Sequence, residues 1–224
     1  MIFSLAHQKG GSGKSTIAWE LAINFLNKGK NVRILDCDIQ HTCIATNLMR
    51  NGAISEGASI MPLDVRAIDS AKGLASFANN DSDDIIQIID VGGYDDGLMR
   101  LALAISDFVI TPLSYDYRVI AGLPTFTKAL REVDKKIKEE TDAFILYNNM
   151  SYQRSDFSVV NEMVKKLDRY KKLSSILRTR ADYGNAIFAG GKSVTEYNPK
   201  GKASEEFSAL ADEVENLIKG VING

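Results

Sequence analysis

The sequence is poor in the residues that build disulfide frameworks and metal clusters. It contains two cysteines, Cys37 and Cys43, and two histidines among 224 residues. These two cysteines form neither a disulfide framework nor a pair of CxxC metal-binding units. Such sparing use of cysteine is typical of a reducing compartment, and we expect a cytoplasmic protein.

Long apolar runs are also missing. No stretch approaches the roughly 20 apolar residues that a membrane-spanning helix needs. Residues 1–6 are mostly apolar, but they lack the charged start of a signal peptide and lead directly into a glycine-rich loop. We therefore expect this segment to form a core strand, and we expect no association with membranes.

What is present fits one α/β domain spanning residues 1–224. Hydrophobic residues make up 45% of the chain, and short apolar runs alternate with amphipathic stretches. This alternation predicts a mostly parallel central sheet flanked by helices on both faces. The predicted strands are 2–6, 32–35, 59–63, 85–89, 107–111 and 143–147. The predicted helices are 15–27, 65–78, 97–105, 118–138, 156–171 and 204–219.

The most specific motif lies between the first predicted strand and the first predicted helix. Its residues are Lys9-Gly10-Gly11-Ser12-Gly13-Lys14-Ser15-Thr16. They fit the phosphate-binding pattern GxxxxGK[ST], except that Gln8 stands where the first glycine is expected. The glycines allow backbone N–H groups to surround phosphates, and the dipole of the next helix adds to the attraction. Lys14 can reach the β- and γ-phosphates, the Ser15 hydroxyl can bind Mg²⁺ and Thr16 is placed near the α-phosphate.

Acidic residues stand at the ends of two predicted strands. Asp36 and Asp38 follow the second strand, and Asp90 follows the fourth. A single aspartate at a strand end is more often a cap or turn residue. Ligands bind at the carboxyl ends of strands in α/β sheets, however, so two aspartates behind a phosphate loop favour a nucleotide site. Asp90 fits an aspartate that holds Mg²⁺ through a water, and Gly92-Gly93 fit a flexible switch.

The phosphate loop resembles the deviant Walker A motif of the ParA/MinD family, in which a second lysine, here Lys9, stands upstream. Segment 36–40 is similar to the family's DxDPQ, with Ile39 in place of proline, and Gly92-Gly93 stand where many members have two prolines. The resemblance extends over nearly the whole chain and is strongest to short ParA-type partition ATPases without an N-terminal helix-turn-helix domain. Further similar segments are 106–113, 144–149 and 191–199.

This resemblance implies an ATPase that uses ATP and Mg²⁺ and forms a homodimer with two ATP molecules between its subunits. In that arrangement Lys9 reaches the partner's phosphates, Asp38 orients the attacking water and Asp36 supports the magnesium shell. The candidate catalytic residues are Lys9, Lys14 and Asp38, and the candidate metal ligands are Ser15, Asp36 and Asp90.

The resemblance also implies that the nucleobase lies near the end of the sixth predicted strand, at Asn148 or Asn149. An asparagine amide offers both a donor and an acceptor to adenine's edge, although an ordinary turn asparagine fits these positions equally well. No NKxD guanine signature follows a strand, which favours ATP over GTP.

Three functions share these motifs: DNA segregation, MinD-like or other cargo positioning, and a metabolic P-loop synthetase or iron protein. The final helix is acidic on its polar face, which disfavours membrane binding, and two cysteines disfavour cluster binding. The motifs alone do not exclude a synthetase, and the whole-chain resemblance favours segregation.

Basic charge is concentrated in one segment, as DNA segregation requires. The chain has a net charge of −2, whereas residues 165–180 carry seven basic residues and one acidic residue. A solvated helix face would explain such a run equally well, but nonspecific contacts to DNA phosphates favour the same composition. We therefore expect a nucleoid-associated protein, and the resemblance to short partition ATPases implies that it works with a centromere-binding, ParB-like adaptor. The candidate DNA contacts are Lys165, Lys166, Arg169, Lys171, Lys172, Arg178 and Arg180.

Overall fold

The computed structural model describes residues 1–80, 84–94 and 96–223. Strands and helices alternate along this part of the chain. The strands are β1 Ile2–Leu5, β2 Asn31–Cys37, β3 Asp64–Ala67, β4 Ile85–Val91, β5 Phe108–Leu113, β6 Asp142–Met150 and β7 Lys171–Arg178. The helices are α1 Lys14–Asn27, α2 Thr42–Ser55, α3 Ala71–Asn80, α4 Gly97–Ile105, α5 Tyr117–Ile137, α6 Ser158–Leu167, α7 Asp182–Phe188, α8 Val194–Tyr197 and α9 Lys202–Asn223.

The strands form one parallel sheet in the order β3-β2-β4-β1-β5-β6-β7. β1 is central and pairs with β4 on one side and β5 on the other. Strand order reverses around β1, which creates a crevice at the carboxyl ends of β1, β4 and β5 where ligands bind in such sheets.

Helices cover both faces of the sheet, as predicted. Alternate residues of each central strand enter different cores: Ile88 packs with Trp19 of α1 and Leu210 of α9, while Ile89 packs with Leu103 of α4 and Phe126 of α5. The strands are apolar on both sides because both sides are buried.

The structure differs from the predicted elements at several places. Helices α7 and α8 were not predicted, and the helix predicted over 65–78 begins only at Ala71. Residues 59–63 form no strand, and the sheet instead takes Asp64–Ala67. Helix α2 was not predicted because its residues, TCIATNLMRNGAIS, carry no clear apolar stripe. Strand β7, KKLSSILR, was missed because it is an edge strand rich in polar side chains, and the helix predicted over 156–171 ends at Leu167.

A buried ion pair holds α2 in place. Arg50 is fully buried, and its guanidinium donates to both carboxylate oxygens of Glu196 at 2.8 and 2.9 Å and to the Gly191 carbonyl at 2.9 Å. Gly191 has a φ of 61°, and a Cβ there would lie 2.7 Å from the Thr46 carbonyl oxygen. The segment before α8 therefore lies directly against α2, and glycine is required for that approach.

The last helix, α9, docks on the chain's own sheet, as expected from its acidic polar face. Phe207, Leu210 and Val214 are fully buried in the core. Two glutamates of α9 cover the outer edge of β7: Glu213 accepts the backbone N–H groups of Ser174 and Ser175 at 2.6 and 3.0 Å, and Glu206 accepts that of Arg178 at 2.9 Å. Side chains thus pair an edge that would otherwise be open to other strands. Throughout the described chain, no helix is long and apolar enough to cross a membrane.

Candidate functional site

The glycine-rich loop connects β1 to α1 at the carboxyl edge of the sheet. Gly11 and Gly13 have φ values of 77° and 91°, which other residues rarely adopt. Gly13 also accommodates a neighbour, because a Cβ there would lie 2.3 Å from Nδ2 of Asn148. This Nδ2 donates to the Ser12 carbonyl oxygen at 2.8 Å, so Asn148 fixes the loop to the end of β6.

Lys14 begins α1 and is buried beneath the loop. Its side chain extends back along the loop, with Nζ 3.5 Å from the Lys9 carbonyl oxygen, and only 5% of the residue is exposed. Burial lowers the pKa of Lys14, while the nearby carboxylates of Asp90 and Asp38 act in the opposite direction. A cation held in this way gains most from an anionic ligand such as a phosphate.

Two buried carboxylates lie side by side opposite the loop. Asp36 and Asp90 occupy paired positions of β2 and β4, and both are fully buried. Burial raises the pKa of Asp90 to about 7; a hydrogen bond from Ser15 opposes this rise and repulsion by Asp36 adds to it. Burial also raises the pKa of Asp36. Oδ1 of Asp90 has no hydrogen-bond partner in the described structure.

These residues fit a magnesium site. Mg²⁺ prefers oxygen ligands and usually binds one or two carboxylates together with waters and substrate phosphates. The Ser15 hydroxyl, Asp36 and Asp90 supply oxygens beside Lys14, and a cation would satisfy the unpaired Oδ1 of Asp90. Residues 1–80, 84–94 and 96–223 contain no group of three or more His, Cys, Asp or Glu side chains arranged to hold a metal. Cys43 lies behind the site, where Sγ donates to Oδ2 of Asp90 at 3.5 Å.

Asp38 stands at the outer rim of the same site. It is half-buried and its Oδ1 accepts the Gln40 backbone N–H at 2.9 Å, which closes a tight turn after β2. Ile39, which replaces the proline of the DxDPQ pattern, points outward with 71% of its surface exposed. The turn therefore keeps its shape through the Asp38 side chain without needing proline.

The glycine pair after β4 lies directly against the phosphate loop. A Cβ at Gly93 would lie 3.2 Å from the Gly10 backbone nitrogen and 3.5 Å from the Lys9 carbonyl carbon. Glycine at position 93 thus permits the predicted switch, Gly92-Gly93, to lie close to the phosphate loop. A bulkier residue at this position would collide with the loop backbone.

Lys9 lies on the surface beside α5. A Cβ at Gly122 would lie 2.9 Å from its Cγ, so the lysine stem runs across this glycine. Its backbone N–H donates to Nδ1 of His7 at 3.0 Å, and burial lowers the pKa of His7 to about 4, which keeps that nitrogen available as an acceptor. The role of Lys9 at a dimer interface stays a prediction.

A cavity of about 240 Å³ opens beside the phosphate loop, and we call it the P-loop cavity. It lies between the ends of β6 and β7 and the start of α9. Its lining combines loop glycines with polar and aromatic side chains from three distant segments. The lining residues are Gly11, Gly13, Thr16, Ile17, Asn148, Asn149, Leu177, Arg178, Arg180, Tyr183 and Phe207.

Comparison with known proteins agrees with this site. Residues 3–194 match the family described as CobQ/CobB/MinD/ParA nucleotide binding domain. The chain belongs to this family. The matched range contains the loop, the carboxylates and most of the cavity lining just described.

Solved structures share the fold of this ParA/MinD-type chain. A plasmid partition protein from Borrelia burgdorferi is 19% identical with a TM-score of 0.61, covering 96% of this chain and 97% of that one. The chain matched in the Aquifex aeolicus MinC:MinD cell division protein complex is 16% identical with a TM-score of 0.72, and 96% of both chains is covered. Cyanothece McdA in its ATP complex is 13% identical with a TM-score of 0.69, and 96% of both chains is covered.

The basic segment 165–180 does not form a single surface in this ParA/MinD-type protein. Arg169 was predicted to contact DNA, but its side chain is 3% exposed and its guanidinium pairs with Asp134 at 2.9 Å. The prediction is wrong for Arg169, because burial at the end of α5 leaves it out of reach of a phosphate backbone. Sequence could not reveal this, since its partner lies on another helix.

Arg178 and Arg180 line the P-loop cavity, and their predicted contact with DNA stays a prediction. Arg178 donates to the carbonyl oxygens of Ser151 and Arg154, each at 2.8 Å, and Arg180 pairs with Glu206 at 2.5 Å. The lysines stay on the surface: Lys171 pairs with Asp142, and the exposed Lys165, Lys166 and Lys172 are near the end of α6 and the start of β7.

The two candidate base-contacting asparagines have other partners. Asn148 supports the loop, and Asn149, with a φ of 53°, accepts the Thr179 hydroxyl through Oδ1 at 2.8 Å. Both line the cavity, and a contact of either with the nucleobase stays a prediction. The residues that sequence reasoning missed are Tyr183 and Phe207, which come to the loop only through the packing of α7 and α9, and no local motif marks them.

Proposed function

We propose that this protein is a Mg²⁺-dependent ATPase of the ParA type that segregates DNA. The observation that carries the catalytic part is the buried Lys14 facing the paired, buried carboxylates Asp36 and Asp90. A buried cation, a glycine-rich loop and two carboxylates with raised pKa values together form a site that suits a phosphate chain and a divalent cation.

Each residue has a distinct part in this mechanism. The loop N–H groups and Lys14 bind the β- and γ-phosphates, and Ser15, Asp36 and Asp90 would hold Mg²⁺. The metal, when bound, neutralises charge on the β- and γ-phosphate oxygens. Asp38, at the rim, orients the attacking water. Lys9 crosses to the partner's nucleotide once two subunits enclose two ATP molecules, which raises the cationic charge around the transferred group.

The catalytic proposal is tested by phosphate release from ATP. The purified protein should release phosphate slowly with ATP and Mg²⁺, and excess EDTA should reduce the rate to background, because the carboxylates alone repel the triphosphate. Adding Mg²⁺ back should restore the rate, which controls for damage by the chelator. A rate unaffected by EDTA and by added Mg²⁺ would contradict the metal assignment.

The DNA part of the proposal rests on three exposed lysines, Lys165, Lys166 and Lys172. They lie close in sequence, at the end of α6 and the start of β7, and their charges fit phosphate contacts that ignore base sequence. One subunit offers few contacts to DNA phosphates and should bind DNA weakly, whereas an ATP-bound dimer doubles the number of these contacts. Such binding would keep the dimer on the nucleoid until a ParB-like, centromere-bound adaptor stimulates hydrolysis.

Reversing these three charges should remove DNA binding. We expect the triple Lys→Glu variant at 165, 166 and 172 to bind duplex DNA roughly tenfold to thirtyfold more weakly with ATP, since each lost phosphate contact lowers affinity and flattens its salt dependence. Fluorescence anisotropy with labelled DNA at several salt concentrations measures both effects.

A matched control reverses three exposed lysines elsewhere, Lys72, Lys200 and Lys202. This control has the same net charge but should retain most of the wild-type affinity. Equal losses in both triple variants would mean that only net charge matters. A wild-type ATP-bound dimer that ignores DNA at low salt would contradict segregation and favour positioning of a protein cargo or a synthetase.

A further inference from the structure

One buried carboxyl group takes no part in the candidate nucleotide site. Glu20 lies in the middle of α1 and is 1% exposed. Its two carboxyl oxygens both accept the backbone N–H of Val194, at 3.1 and 3.0 Å. Within the part of the chain that the structure describes, Glu20 forms no ion pair. A carboxylate buried without a cation is costly, so these surroundings favour the neutral acid.

The groups that face Glu20 from the neighbouring helices do not offset this cost. Glu196 of α8 adds a second negative charge, and Arg50 of α2 is already paired with both oxygens of Glu196. Tyr183 of α7 has no positive charge to offer, and burial raises its pKa. Burial likewise raises the pKa of Glu20 from its ordinary value of 4.5 to about 8; the hydrogen bond from Val194 opposes this rise and the charge of Glu196 adds to it.

The charged residues of α9, which packs against α1, are engaged elsewhere. The contact between the two helices is made by apolar side chains such as Leu210 and Val214. The ion pairs of α9 near α1 and β7 are those of Asp212 and Glu215 with Lys28, about two helical turns beyond Glu20, and that of Glu206 with Arg180.

The segment that Glu20 holds joins α1 to α2. Segment 190–196 also contacts α2, because Arg50 donates to the Gly191 carbonyl oxygen and to the carboxylate of Glu196. Helix α1 follows the phosphate loop, and α2 follows the aspartates at the end of β2. The segment therefore links the two helices that lead away from the candidate nucleotide site.

We propose that segment 190–196 is a pH-sensitive joint between α1 and α2, and that the joint is closed while Glu20 carries its proton. Loss of the proton places a second buried carboxylate beside Glu196, whose partner Arg50 is already engaged. The ionised group regains its hydration when the segment moves away from α1, which breaks the contact with the Val194 N–H. The inference does not depend on nucleotide binding, so it stands apart from the proposed function.

The joint should weaken as pH rises. In the unfolded chain Glu20 ionises near its ordinary pKa of 4.5, whereas in the folded chain its pKa is about 8. Between these two values the unfolded chain binds fewer protons than the folded chain. The stability contributed by the neutral acid is therefore fully present below about pH 4.5 and is lost as pH rises toward about 8.

Glu20→Gln should remove this dependence, because the amide keeps an acceptor and a donor but cannot ionise. From about pH 5 to about pH 8, the ratio of the wild-type unfolding constant to that of Glu20→Gln should rise by roughly tenfold to hundredfold. One proton sets a limit of about tenfold for each pH unit. Urea unfolding at several pH values measures this ratio, and the other titrating groups cancel in it because both proteins contain them.

Hydrogen exchange shows where the change occurs. Over the same pH range, the Val194 amide of the wild type should lose protection relative to Glu20→Gln. This loss should exceed that of amides in the central strands, because the joint opens before the sheet does. Equal losses at Val194 and in the central strands would overturn the assignment of the joint to segment 190–196.

Glu162→Gln is the matched control, because Glu162 is an exposed glutamate of α6. Its unfolding constant should follow that of the wild type at every pH. A ratio of wild type to Glu20→Gln that stays constant with pH, or an equal change in Glu162→Gln, would overturn the inference.

A measurement on the wild type alone decides the matter if Glu20→Gln does not fold. Carboxyl NMR of protein labelled with ¹³C-glutamate should show one glutamate that is still protonated at about pH 7, where ordinary glutamates are ionised. Ionisation of every glutamate at that pH would overturn the inference.

Discussion

We expect Lys14→Ala to lower the affinity for ATP by roughly 100-fold to 1,000-fold. Lys14 is 5% exposed at the start of α1, and its position is fixed beneath the loop by contact with the Lys9 carbonyl oxygen. The loop N–H groups that would remain carry only partial charges, so the variant loses the one full positive charge directed at the β- and γ-phosphates. Titration with a fluorescent ATP analogue in the presence of Mg²⁺ measures the loss.

The neighbouring lysine provides the control for this experiment. Lys9 is exposed and lies along Gly122, away from the buried end of the loop. Lys9→Ala should therefore leave ATP binding by the single subunit within about threefold of wild type, while stimulated hydrolysis falls. Thermal unfolding should show that Lys14→Ala remains folded. ATP binding in Lys14→Ala at wild-type strength would contradict the P-loop assignment.

The strands that were predicted correctly are those whose residues are apolar on both faces. Apolar runs such as 85–89 and 107–111 indicate central strands, because helices bury both faces of a central strand. Edge strand β7 carries no such run, and its stability depends on Glu206 and Glu213 of α9. These contacts join residues that are far apart in the sequence, so no local sequence pattern predicts them.

The same contrast applies to the site. The phosphate loop, Asp36 and Asp90 were found because a short segment carries each of them to the carboxyl edge of the sheet. Helix α2 was missed because its anchor is the buried pair of Arg50 with Glu196, which only the folded chain brings together. For the same reason, the net charge of segment 165–180 did not predict that its basic residues occupy three different environments: a buried ion pair, a cavity lining and an exposed surface.

The two aspartates at the end of β2, Asp36 and Asp38, differ in burial. This difference supports the proposal that Asp36 binds the cation and Asp38 orients the water. Asp36 is fully buried, and its oxygens accept the backbone N–H groups of Asp38 and Ile44 at 3.2 and 3.1 Å. Asp38 is half-buried, and its Oδ1 accepts the Gln40 backbone N–H. A water molecule that attacks the γ-phosphate can approach Asp38, whereas Asp36 lies deep beside Asp90, where a cation would bind.

We expect Asp38→Ala to stop hydrolysis and to leave ATP binding intact. We expect ATP affinity within about threefold of wild type, because Lys14 and the loop remain, and hydrolysis reduced by roughly 100-fold to 10,000-fold, the usual contribution of a residue that positions or deprotonates the attacking group. Since ATP then persists, a dimer that forms on ATP binding should also persist. Light scattering after gel filtration with ATP and Mg²⁺ should give the mass of two chains for hours, while the wild type returns to a monomer as ATP is consumed.

Asp69→Ala is the matched control for this variant. Asp69 is an exposed carboxylate near the same edge, 3.3 Å from Nε2 of His41, and its loss should leave hydrolysis and dimer lifetime unchanged. If Asp38→Ala hydrolyses ATP at the wild-type rate, the water is oriented by another group, and Asp36→Asn becomes the variant to measure. If Asp38→Ala binds ATP but remains a monomer, ATP binding does not drive dimerisation, and the sandwich dimer proposed for this chain is wrong even though its P-loop binds nucleotide.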